Sequence, residues 1–187
     1  MRDLLLIAAL NDGGSLDEAR AAAAVLTGDE VPTAAIQPAV TARLVTVDER
    51  FELRFRHPLL RSALRQQAPP GDRRRAHAAL AEVLSASPDR SLRHRASAAA
   101  EPDEALAMEL TEAAGHAAER EAVAVAFDAV GRAIQLSQDP VARGGRQVWA
   151  CVLAHEQGDG HTVRRLIGEV DVNALRPADR ARKTIRA

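Results

Sequence analysis

The stretch "LVTVDERFELRFRHPLLRSAL", residues 44–64, changes its periodicity at His57–Pro58. Apolar residues alternate with polar ones at 45–47 and again from Phe51 to Phe55, which predicts a β-hairpin. Proline suits the first turn of a helix and disfavours helical backbone in the residue before it. The stretch therefore predicts a hairpin that leads directly into a helix over about 58–67.

The rest of the chain shows helical patterns and a composition that suits packed helices. Alanine and arginine are abundant, and aromatic residues make up 2% of the 187 residues. Few β-branched or aromatic residues argue against a sheet protein. Further helices are predicted at 3–10, from Ser15 with a capping-box Glu18, in a short segment ending near Leu44, and at about 70–85, 89–99, 103–118, 121–137, 141–157 and 160–170.

These elements predict a mainly α fold. Three short helices, a hairpin and a further helix predict a small winged-helix domain over 1–67. The region 68–175 is predicted to form a tetratricopeptide-like helical array, and 176–187 a frayed tail. Spacings of four and three recur at Ala126, Val130 and Ala133 and again at Val163, Ile167 and Val170, a pattern typical of such repeats.

The sequence excludes a phosphate-binding loop of the GxxxxGK[ST] type. Such a loop needs an internal lysine, and Lys183, the one lysine, has no such glycines before it. The glycine pairs at 13–14 and 144–145 lack a strand before them and are predicted to be turns. No nucleotide cofactor is therefore expected to be held by this chain alone.

No arrangement of residues predicts catalysis or a metal site, so we expect no enzyme activity. None of the six histidines forms HExxH or an i, i+4 pair, and the serines lack a glycine-elbow context. His77, His94, His116 and His155 are expected to be surface or packing residues. Cys151, the single cysteine, is expected to lie in the core.

Charge and hydropathy predict a cytoplasmic protein without a membrane role. The net charge is -1, and the apolar run at 4–10 is too short to span a bilayer. Asp3 and the lack of a small-residue cleavage site argue against a signal peptide.

Direct DNA binding is not expected. The helix before the hairpin would lie within 32–44, where Arg43 is the only charged residue. Phosphate neutralisation and base reading both require charged or polar side chains there. The basic cluster at Arg73–Arg75 leaves a nucleic-acid contact open, although a solvated helix face explains it as well.

Four segments follow one another in a recognisable order: "RLVTVDERFELRFRHPLLRSAL" (43–64), "APPGDRRRAHAALAEVL" (68–84), "PDRSLRHRASAAAEPDEALAMELTEAAGHA" (88–117) and "AVAVAFDAVGRAIQLSQDPVAR" (122–143). Together they resemble the middle of large ATP-binding transcription regulators of the LuxR class, which are STAND ATPases related to the maltose regulator. The resemblance implies a central fragment of such a regulator, consisting of the winged helix and the start of the helical array.

The resemblance also implies partners and one site residue. The partners would be the ATPase module, which would hold ATP or ADP, and the DNA-binding domain of the parent regulator. In related ATPases a histidine of a Met-His-Asp type motif approaches the phosphates of ADP, and His57 occupies the similar place. Pro58 departs from the acidic residue of that motif. A helix N-cap or a packed histidine is the alternative explanation of His57.

A second functional hypothesis is a standalone helical-repeat module that binds proteins through its array. It rests on the nearly continuous Ala-rich helices and on the absence of an ATPase core from this sequence, and it involves neither nucleotide nor DNA.

Overall fold

Helices and one β-hairpin make up the fold within residues 2–171 and 175, which are the residues that the computed structural model describes. The predicted mainly α fold with a single hairpin is confirmed. The α-helices are α1 Arg2–Leu10, α2 Leu16–Thr27, α3 Gln37–Thr41, α4 Pro58–Gln67, α5 Pro70–Val83, α6 Pro88–Ala98, α7 Glu104–Glu119, α8 Val123–Leu136, α9 Pro140–Glu156 and α10 Gly160–Glu169. A 3-10 helix at Thr33–Ile36 precedes α3, and the strands are β1 Val45–Val47 and β2 Leu53–Phe55. The predicted frayed tail at 176–187 lies outside the described residues.

The chain divides into two compact units, Met1–Ala100 and Glu101–Ala187. Helix α5 packs on α1 and α2 within the first unit. The predicted boundary between residues 67 and 68 stays a prediction. The assignment of the two regions to a winged helix and to tetratricopeptide-like repeats stays a prediction.

Helix α1 forms the centre of the first unit. All seven residues of Leu4–Leu10 are buried, and α1 packs against α2, α4 and α5. A helix that is apolar on every side is stable only when it is surrounded by protein. The predicted buried helix at 3–10 is confirmed.

The segment that joins α1 to α2 pairs with the hairpin. The Leu53 N–H donates to the Gly14 carbonyl at 2.7 Å, and the Leu16 N–H donates to the Phe51 carbonyl at 2.9 Å. Gly14 has a φ of +70°, a conformation that glycine adopts without steric cost. The resulting order of elements is a helix, a bridging segment, two helices and a hairpin.

The second strand begins two residues later than its apolar alternation predicts. The Asp48 carboxylate accepts the N–H groups of Arg50 at 3.0 Å and Glu52 at 2.9 Å, which extends the turn through Phe51. Phe51 adopts a φ of +58°, and 48% of its surface is exposed. The alternation of apolar residues therefore predicts a strand β2 that starts too early, because the Asp48 side chain competes with the strand ladder for backbone donors.

In the second unit each helix packs against the next, in the order α7, α8, α9 and α10. Ala126, Val130 and Ala133 of the predicted repeat are fully buried in α8. The short side chains at such contacts let helix axes approach closely. The aspartates at the starts of α7 and α9, Asp103 and Asp139, both cap their helices through the side chain.

The predicted turn at the glycine pair 144–145 is wrong. Both glycines lie inside α9, and Gly144 is buried. Glycine weakens an isolated helix by about 1 kcal/mol relative to alanine, but packing against neighbouring helices overrides that preference. The other predicted glycine turn, at 13–14, is present in the structure.

Two residues after the end of α7, at Glu121, we expect glycine to be more stable than the native residue. Glu121 has a φ of +60°. Its N–H donates to the Ala118 carbonyl, and the Ala122 N–H donates to the Ala117 carbonyl, as in a Schellman motif. We expect Glu121→Gly to raise the free energy of unfolding by about 0.5–1 kcal/mol, because it removes left-handed strain. Urea denaturation measures the change. The matched variant Glu119→Gly, in the last turn of α7, is expected to lower the free energy of unfolding. Equal effects of the two substitutions would contradict the role of left-handed strain at Glu121.

Candidate functional site

The candidate site lies where the hairpin passes into α4. His57 has an extended backbone, with φ -127° and ψ 127°, as expected for a residue before proline. Its Nδ1 accepts the N–H of Leu59 at 3.2 Å, so the imidazole is the N-cap of α4. The capping alternative is therefore present in the structure, but it occupies only Nδ1 and leaves Nε2 for another partner.

The backbone at the start of α4 has little capacity left for an anion. Pro58 has no N–H, the Leu59 N–H is bonded to His57 Nδ1, and the Leu60 N–H donates to the His57 carbonyl at 3.0 Å. The helix N-terminus is therefore unlike the open backbone sites that usually hold phosphate. An anion at this position would have to be bound by side chains.

Two exposed side chains flank the imidazole. Arg56 precedes it, where the Arg56 N–H donates to the Leu44 carbonyl at 3.0 Å and extends the hairpin ladder by one residue. Leu59 follows it, with 69% of its surface exposed. A guanidinium and an imidazole N–H are strong donors to phosphate oxygens, and the leucine offers an apolar contact beside them.

Arg61 fixes α4 to the end of α1. Its Nε donates to the Ala9 carbonyl at 2.9 Å, and its Nη2 donates to the Asn11 carbonyl at 3.1 Å and contacts Asp12 at 3.2 Å. The last carbonyls of a helix have no partners within the helix, and a cation there is favourable for both hydrogen bonding and the helix dipole. Arg61 therefore acts as a positioning residue for the helix that carries His57.

A second polar cluster, the Arg90 cluster, consists of Asn11, Glu18 and Arg90. The Arg90 guanidinium donates to Glu18 at 2.8 and 2.7 Å and to the Asn11 side chain at 2.8 Å, and the Asn11 amide donates to Glu18 at 2.8 Å. The hydrogen bond from Arg90 is the main cause that lowers the pKa of Glu18. The cluster joins α6 to α2 and to the turn that pairs with the hairpin.

The predicted capping box is only half formed. The Ser15 hydroxyl accepts the Glu18 N–H at 3.2 Å, as predicted. The Glu18 carboxylate is instead occupied in the Arg90 cluster. Sequence spacing identified the cap but gave no sign of Arg90, which lies 72 residues further along the chain.

Sequence reasoning also missed a contact between His77 and His94. Their Nδ1 atoms lie 2.8 Å apart, and His94 is buried. The two residues belong to different helices, so no local spacing indicated the pair. No group of three or more His, Cys, Asp or Glu residues within the described part of the chain is arranged to hold a metal ion.

The second unit contains a partly buried polar cluster, the Arg146 cluster, formed by Glu104, Thr111, Ser137 and Arg146. Arg146, only 6% exposed, contacts Glu104 at 2.8 Å, Ser137 at 2.6 Å and Thr111 at 2.9 Å. Burial acts to raise the pKa of Glu104, but hydrogen bonds from the Asp139 N–H, Arg146 and the Gln138 N–H outweigh it and lower the pKa. The cluster links α7 and α9 to the residue that ends α8, Ser137.

The remaining predicted residues have structural contacts. Cys151 is buried, in agreement with its predicted place in the core. Arg73 donates to the Arg65 and Ala68 carbonyls, both at 3.1 Å, and so caps the end of α4. Arg75 pairs with Asp72 at 2.8 Å. None of the described helices is both long and apolar enough to cross a membrane.

No family model, curated protein or solved structure matches this chain.

Proposed function

We propose that this chain supplies the nucleotide-sensing winged helix and part of the signal-sensing helical array of an ATP-dependent LuxR-type transcription regulator. The observation that carries the proposal is the position of His57, which caps α4 through Nδ1 and presents Nε2 to solvent. Arg61 supports it by holding α4 against the end of α1. The resemblance of the segments from 43 to 143 to that class of regulator is the second support.

In this proposal the nucleotide is held by an ATPase module outside this sequence, and the present chain senses its phosphates. His57 would donate from Nε2, and Arg56 would donate from its guanidinium. Both donors are on side chains, because the backbone donors at the start of α4 are already used or absent. Loss of either donor is therefore expected to weaken retention of the nucleotide without changing the fold.

Substitution of His57 separates its two roles. Asparagine is a preferred N-cap, so His57→Asn keeps the bond to the Leu59 N–H but removes the Nε2 donor. We expect His57→Asn to leave the unfolding midpoint unchanged and His57→Ala to lower the free energy of unfolding by about 1 kcal/mol. In the complex with the ATPase module, both variants are expected to release ADP roughly 10-fold faster or more, since a hydrogen bond to a charged group contributes about 1.5–3 kcal/mol.

The measurement is the rate of fluorescent ADP release from that complex. Release that is unchanged in His57→Asn and also in Arg56→Gln would contradict the sensing role. Reading the genomic DNA on both sides of the coding sequence tests the larger proposal. Absence of an upstream phosphate loop and a downstream helix-turn-helix would contradict it.

A standalone protein-binding array is the second candidate, and one observation favours it. Met108 on α7 and Val125 on α8 are exposed large apolar side chains in the second unit. If the array binds proteins by itself, Met108→Glu should abolish capture of a purified partner while His57→Asn leaves it unchanged. The opposite pattern would favour the nucleotide-sensing proposal.

A further inference from the structure

The tip of the hairpin exposes an aromatic side chain. The chain contains three phenylalanines, one tryptophan and no tyrosine. Phe55 packs against the core of the first unit, and Phe127 and Trp149 pack against the core of the second, whereas Phe51 is 48% exposed. A single exposed apolar residue is common on protein surfaces and does not by itself indicate a function. The backbone of Phe51 supplies the further observation.

Phe51 has an unfavourable backbone conformation. Its φ is +58°, which places a bulky residue in the left-handed region. Glycine adopts this conformation without steric cost and is the usual residue at the left-handed position of a hairpin loop. The aromatic residue therefore costs stability here, and its exposed ring gains little from burial in return. Strain of this kind is concentrated at functional sites.

The fold holds Phe51 in this conformation from both sides. The Phe51 N–H donates to the Asp48 carbonyl at 3.1 Å, and the Phe51 carbonyl accepts the Leu16 N–H at 2.9 Å. The neighbouring residues are fixed as well, since the Asp48 carboxylate accepts the N–H groups of Arg50 and Glu52. The ring is therefore presented on a backbone of defined geometry. Such an anchor loses less entropy on binding than one on a mobile loop.

The charges around Phe51 define the chemistry of a partner. Residues 48–54 carry three carboxylates, on Asp48, Glu49 and Glu52, against the two guanidinium groups of Arg50 and Arg54. The hydrogen bond from the Glu52 N–H is the main cause that lowers the pKa of Asp48, so this carboxylate is ionised at neutral pH. A tip with net negative charge repels nucleic acid and anionic membranes. It complements a protein surface that carries basic side chains.

We propose that Phe51 docks into an apolar pocket of another protein, and that basic side chains border this pocket. Aromatic side chains are enriched in protein interfaces, and charged side chains are depleted from the interface core and lie at its rim. The Phe51 ring supplies the core of the contact, and the Glu49 carboxylate supplies part of the rim. The proposal is independent of the proposed function.

Substitution of Phe51 separates docking from folding. We expect Phe51→Gly to reduce the equilibrium constant of unfolding, measured in urea, by about 2- to 5-fold, because it removes left-handed strain. Arg43→Gly is the matched control, since Arg43 is also exposed and has a φ of +56°. Both substitutions are expected to stabilise the chain, but only Phe51→Gly removes the anchor. A Phe51→Gly variant less stable than wild type would assign the ring to the fold and overturn the proposal.

Photo-crosslinking of the whole chain in its source cells identifies the partner. Benzoylphenylalanine replaces Phe51, and mass spectrometry locates the crosslinked peptide. We expect a peptide of another protein that combines apolar residues with lysine or arginine. Ala78, exposed on α5, is the control position and should give no crosslink to that peptide. The absence of a crosslink from position 51 would overturn the proposal, as would a crosslink to nucleic acid, lipid, a second copy of this chain or a peptide without basic residues.

The purified partner must also bind with the proposed chemistry. Phe51→Gly is expected to raise the Kd at least 10-fold, because a few buried anchors carry most of the energy of an interface. Glu49→Lys reverses an exposed charge and is expected to raise the Kd about 3-fold or more at low salt, and less at high salt. Arg43→Gly should leave the Kd unchanged. A Kd that does not respond to Phe51→Gly contradicts the anchor, and one that Glu49→Lys fails to raise contradicts the basic border of the pocket.

Discussion

Arg146→Ala is expected to lower the free energy of unfolding by about 2–4 kcal/mol, because it removes a buried side chain and the donor that Glu104, Ser137 and Thr111 share. Arg146 is buried and contacts Glu104, Ser137 and Thr111. Ser137 and Thr111 lose a charged donor, and the Glu104 carboxylate, whose side chain is 26% exposed, keeps only the N–H groups of Gln138 and Asp139. Urea denaturation at pH 7 measures the effect.

The control for Arg146→Ala removes both charges. The double variant Arg146→Met, Glu104→Gln keeps the volume of the arginine, and the amide oxygen at 104 can still accept the N–H groups of Gln138 and Asp139. We expect it to be less destabilising than Arg146→Ala, because no unpaired charge remains. A loss below about 1 kcal/mol for Arg146→Ala would contradict the role of the cluster.

Gly13→Ala is expected to have the second largest effect, a loss of about 2 kcal/mol. A Cβ at this position would overlap the guanidinium of Arg90. Arginine is flexible and can move away, but this guanidinium is held by Glu18 and by Asn11, which is only 2% exposed. The substitution therefore displaces Arg90 and leaves a buried amide and a carboxylate without their main donor.

Two comparisons make the Gly13 prediction specific. In an Arg90→Ala background, Gly13→Ala is expected to be nearly neutral, because the guanidinium is gone and only Glu18 Oε2, 3.1 Å from the Cβ position, has to shift slightly. Gly131→Ala, inside α8 where a Cβ would meet no atom within 4 Å, is expected to stabilise the chain by about 0.5–1 kcal/mol. If Gly13→Ala costs the same with and without Arg90, the cause lies elsewhere.

Local signals predicted the hairpin and the start of α4 well. Alternation identified β1, and Pro58 placed the helix start where the structure has it, because a proline constrains its own backbone and that of its neighbour. The apolar run at 4–10 likewise predicted a helix buried on every side. Each of these features depends on residues within a few positions of one another.

Competition between neighbouring groups caused the local errors. The Asp48 side chain captured backbone donors and left Phe51 in the turn. Packing held the glycines at 144–145 in α9 despite their weak helix preference. In both places the local preference of the residues exists, but an interaction that the sequence pattern does not show is stronger and decides the structure.

The sequence by itself determined the mainly α fold, the hairpin and the start of α4 at Pro58, because backbone preferences and hydrophobic periodicity act over short distances. Only the tertiary structure decided that Arg90 reaches Glu18, that the buried Arg146 pairs with Glu104, and that His77 lies against His94. Those partners come from different helices, and the energy of each contact depends on burial, which arises only when the helices pack.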